Sequence, residues 1–236
     1  RLLDAATERG IRIAFDGNFR SKLWALWRGE PERRLRSLMA RAELLFANER
    51  DIAVVLGDAP AADCFAHAAA RAFAAFPRLE RMTTTLREEH SVDHHTLTAR
   101  LIHRSGASES APSYTLSPIV DRIGTGDAFA AGVLHGLMER LPDAEALHLG
   151  LAAACLKHSI PGARNTAAPP KSPGSPQRPA GILARMSRLR SASSRSAAVL
   201  SVAMYPGAMA LTLMPNFAHS FANSRVMPRS PDLLAV

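Results

Sequence analysis

Apolar residues over the first 160 positions alternate between short continuous runs and longer stretches with helical spacing. Leu2, Leu3 and Ala6, closed by Glu8-Arg9-Gly10, read as the end of a helix, and 11–15 (Ile-Arg-Ile-Ala-Phe) as a short buried strand. Residues 31–42 have helical periodicity with Pro31 in the first turn, and Glu43-Leu44-Leu45-Phe46-Ala47 makes a second apolar strand. Helices are expected over 52–56 and 61–76. Residues 82–86 and 96–102, rich in threonine and branched side chains, read as strands joined by a His/Asp turn. Gly124-Thr125-Gly126-Asp127 then leads into a helix over 128–141, and another is expected over 143–158. Alternating strands and helices predict an α/β layer fold with a mainly parallel sheet, whose ligands gather where the strands end.

Charge divides the chain. The 236 residues carry a formal net charge of +8, yet residues 1–162 balance 20 Lys+Arg against 20 Asp+Glu. Residues 163–236 hold 9 basic side chains against the single Asp232, and nine of the sixteen prolines. This separates a neutral globular segment, 1–162, from a basic Pro/Ser/Arg-rich tail, 163–236, which is expected to be disordered. The long apolar stretch of the tail, 197–214, is interrupted by Tyr205-Pro206-Gly207 and only reaches the lower limit of about 17–20 residues for a membrane-spanning helix, so no membrane role is expected. Cys64 and Cys155 are too few and too far apart for a disulfide framework or a Cys-x-x-Cys site. The chain opens at Arg1 in what reads as the middle of a helix, which points to an origin inside a longer protein.

The sharpest local signal is Asp121-Arg122-Ile123-Gly124-Thr125-Gly126-Asp127. Its glycines permit tight turns, and the helix that follows leaves its first N–H groups unpaired, which suits an anion. A carboxylate beside an anion site is unfavourable unless it has a proton to move; the alternative is an Asp that merely caps the helix. Gly132 and Gly136, one turn apart, allow close helix packing, with Phe129, Val133 and Leu137 as the apolar stripe. No Gly-x-x-x-x-Gly-Lys-Ser/Thr loop is present, and Phe129 stands where a dinucleotide fingerprint has its third glycine. His90, Asp93, His94 and His95 have the composition of a metal cluster. Adjacent residues of a strand point to opposite faces, which argues against one shared site.

These motifs together resemble the carboxyl-terminal half of a ribokinase-like, PfkB-type carbohydrate kinase over residues 1–162. Gly124-Thr125-Gly126-Asp127 is similar to that family's Gly-x-Gly-Asp. Asp16-Gly17-Asn18-Phe19-Arg20 with Leu23-Trp24 resembles the Asp-x-Asn-x-Arg…Leu-Trp segment of the branch acting on 2-keto-3-deoxygluconate, and Asn48-x-x-Asp51 the family's Asn-x-x-Glu. The resemblance implies a partial three-layer sandwich that lacks the family's amino-terminal strands and lid. It implies ATP-dependent phosphorylation of the sugar acid at its C6 hydroxyl, with Asp127 as base, Gly124, Thr125 and Gly126 as the anion hole, and Arg20 on the substrate carboxylate. Asn18, Phe19 and Arg20 would lie at the nucleotide together with the 124–127 turn, and Asn48 with Asp51 would orient water around Mg²⁺.

The expected partners are therefore a sugar acid and ATP in the cytoplasm, without nucleic acid, self-association being left open. Another sugar kinase of the family, such as a fructokinase or ribokinase, and a non-catalytic remnant are the alternatives. Arg20 has a second reading as a surface ion-pair partner of Asp16, and Trp24 and Trp27 as packing residues. After Cys155-Leu156-Lys157-His158-Ser159-Ile160-Pro161-Gly162 the resemblance stops, with Ala163 where the family has Asp. Arginine outnumbers lysine 26 to 3, as GC-rich codons give, so the tail is expected to be an out-of-frame reading; its rival is a basic arm for nucleic acid or acidic lipid. The coding DNA in its other frames decides between them.

Overall fold

The computed structural model describes residues 2–26, 30–57, 65–162, 199–205 and 208–214. The chain runs α1 (Leu2–Glu8), β1 (Arg12–Asp16), α2 (Ser21–Leu26), α3 (Pro31–Met39), β2 (Leu44–Phe46), α4 (Glu49–Leu56) and α5 (Phe65–Ala75). It continues through β3 (Arg81–Glu89), β4 (His95–His103), β5 (Ser108–Ser110), β6 (Tyr114–Leu116), α6 (Thr125–Met138) and α7 (Asp143–Lys157) to β7 (Val199–Tyr205) and β8 (Ala208–Met214). The strands form one eight-stranded sheet in the order β5-β4-β3-β2-β1-β7-β8, with β6 pairing β4. Its centre, β3-β2-β1-β7, is parallel, and the pairings outside it are antiparallel.

Strand alternation builds the layers. Ala14 pairs with Leu44 and Phe15 with Leu45, so neighbours in the sheet share a face while successive residues change face. Phe15, Leu45 and Met82 enter a core with Leu35 and Met39 of α3, Ile52 and Val55 of α4, and Phe65 and Phe73 of α5. Ala14, Leu44, Phe46, Leu97 and Leu101 enter the opposite core with Phe129, Val133 and Leu134 of α6 and Leu147 and Leu151 of α7. This is the expected three-layer arrangement. Removing a fully buried ring such as Phe15 would cost about 3–5 kcal/mol.

Helices α6 and α7 touch along small residues. A Cβ on Gly132 would stand 2.7 Å from the Cα of Gly150, and one on Gly136 would stand 2.6 Å from the Cα of Ala146. The expected glycine stripe is therefore where the two backbones meet, and the pair has no room to slide.

Several elements differ from the sequence expectation. Helix α2 has no separate counterpart in it, because six residues show too little periodicity. Helix α4 starts at Glu49 rather than near 52, because Asn48 caps it. Helix α5 begins at Phe65, and expected positions 61–64 lie outside the described residues. Helix α6 takes in Thr125, Gly126 and Asp127, three positions earlier than the apolar stripe suggests. Strands β5 and β6 are too short to register as patterns. Within the tail, expected to be disordered, 199–205 and 208–214 are strands: β7 pairs in parallel with β1 and folds back on β8. Of the break at Tyr205-Pro206-Gly207, which interrupts the apolar stretch, Tyr205 closes β7, and β8 opens at Ala208.

Candidate active site

The carboxyl end of β1 carries Asp16, Gly17, Asn18, Phe19 and Arg20. The Gly17 N–H still donates to the Phe46 carbonyl (2.9 Å), extending the β1–β2 pairing by one residue. The chain then leaves the sheet through Asn18, whose φ of 34° is left-handed and is tolerated by asparagine better than by most residues. The Asn18 N–H donates to Asp16 Oδ1 (3.0 Å), and Arg20 Nε donates to Asn18 Oδ1 (3.3 Å). Arg20 is thus exposed and held by Asn18, with no ion pair to Asp16. Phe19 packs against the α3–α5 core.

At the end of β2, Asn48 and Asp51 form a capping box. Asn48 Oδ1 accepts from the N–H groups of Arg50 (2.9 Å) and Asp51 (3.1 Å), and the Asn48 N–H donates to Asp51 Oδ2 (3.0 Å). Asp51 is buried, and its Oδ2 lies 3.5 Å from where a Gly17 side chain would begin. A Cβ there would stand in ordinary van der Waals contact with this carboxylate, so the β1 loop runs beside it. The two residues expected around Mg²⁺ therefore adjoin the Asp16 loop, with the Oδ1 of Asp51 not used by the cap.

The third component is the start of α6. Gly124 caps the helix with φ 77°, a conformation that demands glycine. The first intrahelical bond runs from the Ala128 N–H to the Gly124 carbonyl (2.9 Å), so the N–H groups of Gly126 and Asp127 lie outside the ladder. The Thr125 N–H and hydroxyl both turn back to the Arg122 carbonyl, at 3.4 and 3.0 Å. Of the expected anion hole, then, Gly124 and Gly126 keep N–H groups with no acceptor among the described residues, Thr125 does not, and the amide of Asp127 joins them. Nothing lies within 4 Å of where a Gly126 side chain would begin, so the turn opens onto free space.

Packing and electrostatics bring these parts together. Phe129, one half-turn beyond Asp127, meets Phe46 edge to face with ring centroids 6.0 Å apart, seating the first turn of α6 over the ends of β1 and β2. Burial pushes the Asp16 carboxyl up to about 7; the Asp127 charge is the next cause, opposed by the Asn18 N–H, while Asp51 adds to the rise and Arg20 opposes it. Burial likewise raises Asp51 to about 6, against the Asn48 N–H. Asp127 is exposed. Asp16 is therefore the common neighbour of Asp127, Asp51 and Arg20; the sequence marks it as the first residue of the Asp-x-Asn-x-Arg motif and as a partner for Arg20, without a site role of its own. Its signal was a lone carboxylate closing an apolar strand just before Gly-Asn.

The remaining candidates have structural settings. Trp24 is buried in the α3–α5 core, a packing role; Trp27 lies outside the described residues. His95 is fully buried while His94 stacks on His90 at 4.8 Å, so the adjacent histidines do face apart. Among the described residues no group of His, Cys, Asp and Glu is arranged to hold a metal ion, and no helix is long and apolar enough to cross a membrane.

Known carbohydrate kinases share part of this sequence and fold. Residues 103–170, which include the 124–127 turn and all of α6 and α7, match the pattern of the pfkB family carbohydrate kinases. The chain is 35% identical over 164 residues to a 2-dehydro-3-deoxygalactonokinase of Haloferax volcanii, covering 68% of this chain and 46% of that protein. Residues 103–170 thus carry the PfkB carbohydrate kinase pattern, and the chain is similar in sequence to a kinase of that type. Among solved family members, a PfkB carbohydrate kinase from Listeria grayi superposes with a TM-score of 0.62 at 32% identity, over 70% of this chain and 49% of that one. A 2-dehydro-3-deoxygluconokinase from Thermotoga maritima gives 0.59 at 28% identity, over 68% and 48%. The chain thus spans about half the length of the PfkB kinases it matches.

Proposed function

We propose that the protein is an ATP-dependent kinase of 2-keto-3-deoxy sugar acids, with 2-keto-3-deoxygluconate as the preferred substrate and its galactonate epimer as the nearest relative. The observation that carries this reading is the exposed Asp127 in the first turn of α6, electrostatically coupled to Asp16 and flanked by free amides. A carboxylate in that place takes the proton of the C6 hydroxyl as the oxygen attacks the γ-phosphorus of ATP. The bond from that phosphorus to the β–γ bridging oxygen breaks, and ADP leaves. The N–H groups of Gly124, Gly126 and Asp127 hold the transferring phosphoryl oxygens, a task of positioning and charge stabilisation.

Arg20 offers a planar, two-pronged donor to the substrate carboxylate, and Asn18 fixes its orientation through the 3.3 Å hydrogen bond. The cradle fits a phosphate, since it is glycine-lined, open and supplied with unpaired amides. The cation that accompanies ATP would neutralise phosphate charge. Asp51, through the oxygen its cap leaves free, and the Asn48 amide would hold its waters.

The test is ADP release with MgATP and a panel of 2-keto-3-deoxygluconate, 2-keto-3-deoxygalactonate, fructose and ribose. The acids are expected to turn over and the neutral sugars not, with Arg20→Ala raising KM for the acids about 10- to 100-fold, the range for a lost charged hydrogen-bond pair. Preference for a neutral sugar, or indifference to Arg20→Ala, would overturn the assignment.

A further inference from the structure

We propose that Asp121 is a positioning residue for the phosphate-cradling turn: its two carboxylate oxygens fasten the start of that turn to the end of α7. Asp121 Oδ1 accepts from the Ile123 N–H at 2.9 Å, and Oδ2 accepts from the Gly162 N–H at 2.6 Å, across 41 residues of sequence. One side chain thereby shapes the approach to Gly124 and anchors it. The backbone repeats the link, since the N–H groups of Val120 and Asp121 both donate to the His158 carbonyl, at 2.9 and 3.2 Å.

The anchor is itself hydrogen-bonded. His158 follows α7 and its Nδ1 pairs with the Ala154 carbonyl (2.8 Å). Lys157 is 1% exposed, and its ammonium donates to the Ile160 carbonyl at 2.8 Å, tying down the turn that leads to Gly162. Gly162 has φ 77°, so its N–H is presented by a backbone conformation that favours glycine. The Ile123 and Gly162 N–H groups, with the Lys157 charge a smaller cause, hold the Asp121 carboxyl below the ordinary carboxylate range, so it accepts as an anion at neutral pH.

The circuit closes through the glycine contact between α6 and α7. The turn at 124–127 is continuous with α6, α6 meets α7 backbone to backbone at Gly132 and Gly150, and Asp121 returns the end of α7 to the beginning of the turn. Both ends of the cradle are therefore referred to the same helix pair. Without Asp121 the segment before Gly124 keeps its backbone bonds to His158 but loses the side-chain brace. The amides of Gly126 and Asp127 then sample a wider range of directions, a loss that matters most when charge develops on the phosphoryl group.

The role in phosphoryl transfer rests on the kinase reading, whereas the brace does not, and the test separates them. Hydrogen exchange is followed by mass spectrometry on the full chain and on Asp121→Ala and Asp121→Asn, comparing peptides across 119–129 with peptides inside α7. Asp121→Ala is expected to speed exchange across 119–129 at least about tenfold while α7 is unchanged, the signature of a local opening. Asp121→Asn keeps one acceptor, retains the side-chain shape if the alanine variant fails to fold, and should fall between. With 2-keto-3-deoxygluconate and MgATP, kcat of Asp121→Ala should fall about tenfold or more with KM for the sugar acid within twofold. Unchanged exchange across 119–129, or equal acceleration in α7, overturns the brace. Altered exchange with unchanged kcat overturns the role in transfer, and an unmodified chain without turnover counts against the kinase reading while exchange still decides the brace.

Discussion

The two ends of the central sheet are both rich in charge, yet they use it in opposite ways. At the amino ends of the strands, Arg81 Nε meets both oxygens of Asp143 at 2.9 Å and its guanidinium reaches Glu80 at 3.2 Å, while Arg78 pairs with Glu43 at 2.9 Å. A cavity there is lined by Arg12, Leu44 and Leu137 together with Glu43, Glu80 and Arg81. At the carboxyl ends, Asp16, Asp51 and Asp127 converge, and among the described residues none of them has an ion-pair partner. Burial with like-charge proximity raises two of the three. A fold gains nothing from crowding acids without cations, so the strained end is where a ligand's positive charge or a transferred proton belongs. Around the cavity at the opposite end, Glu43, Glu80 and Arg81 are each in an ion pair.

The contrast sharpens most at Asp127. Replacing it by Asn removes the proposed proton acceptor and keeps the shape, so turnover of the sugar acid should fall about a thousandfold while MgADP still binds. Retained turnover would remove Asp127 as the base. Next comes the pH dependence of stability. Asp16 binds its proton more tightly when folded, so its contribution is complete below its ordinary value of 3.8 and is lost as pH rises towards about 7. Thermal melts should show Tm of the unmodified chain decreasing between pH 4.5 and 7.5, set against a flatter profile for Asp16→Asn. Asp51, raised to about 6, accounts for a residual slope. The smallest effect belongs to the opposite end: Arg81→Ala should cost about 1 kcal/mol or less in denaturant unfolding and leave KM and kcat unchanged.

Much of this was legible in the residues. The apolar runs at 11–15 and 43–47 and the glycine stripe of α6 fixed the layers, because strand alternation and close helix contact leave direct marks on sequence. The Gly-x-Gly-Asp turn announced itself for the same reason, since only glycine adopts Gly124's conformation cheaply. What stayed hidden depends on distance in the chain. Asp16 acquires its meaning from Asp127, 111 positions later, and Asp121 from Gly162, neither of which a local pattern can report. The capping box at Asn48 and Asp51 was visible as a motif but was read for its resemblance to a cation site rather than for the helix start that it makes. In the tail, the Pro206-Gly207 break argues against a membrane span, whereas the antiparallel pairing of β7 with β8 leaves no local mark beyond it.

The claim on which the rest stands is that β1 and α6 bring their acids face to face at the carboxyl end of the sheet. Carboxylate carbon NMR on the full chain, titrated from pH 3 to 9 before and after Asp127→Asn, tests it without requiring turnover. Asp16 is expected to titrate near 7 and to move towards the ordinary carboxylate range once Asp127 loses its charge. An Asp16 that titrates near 4 and ignores the change at 127 would contradict the account.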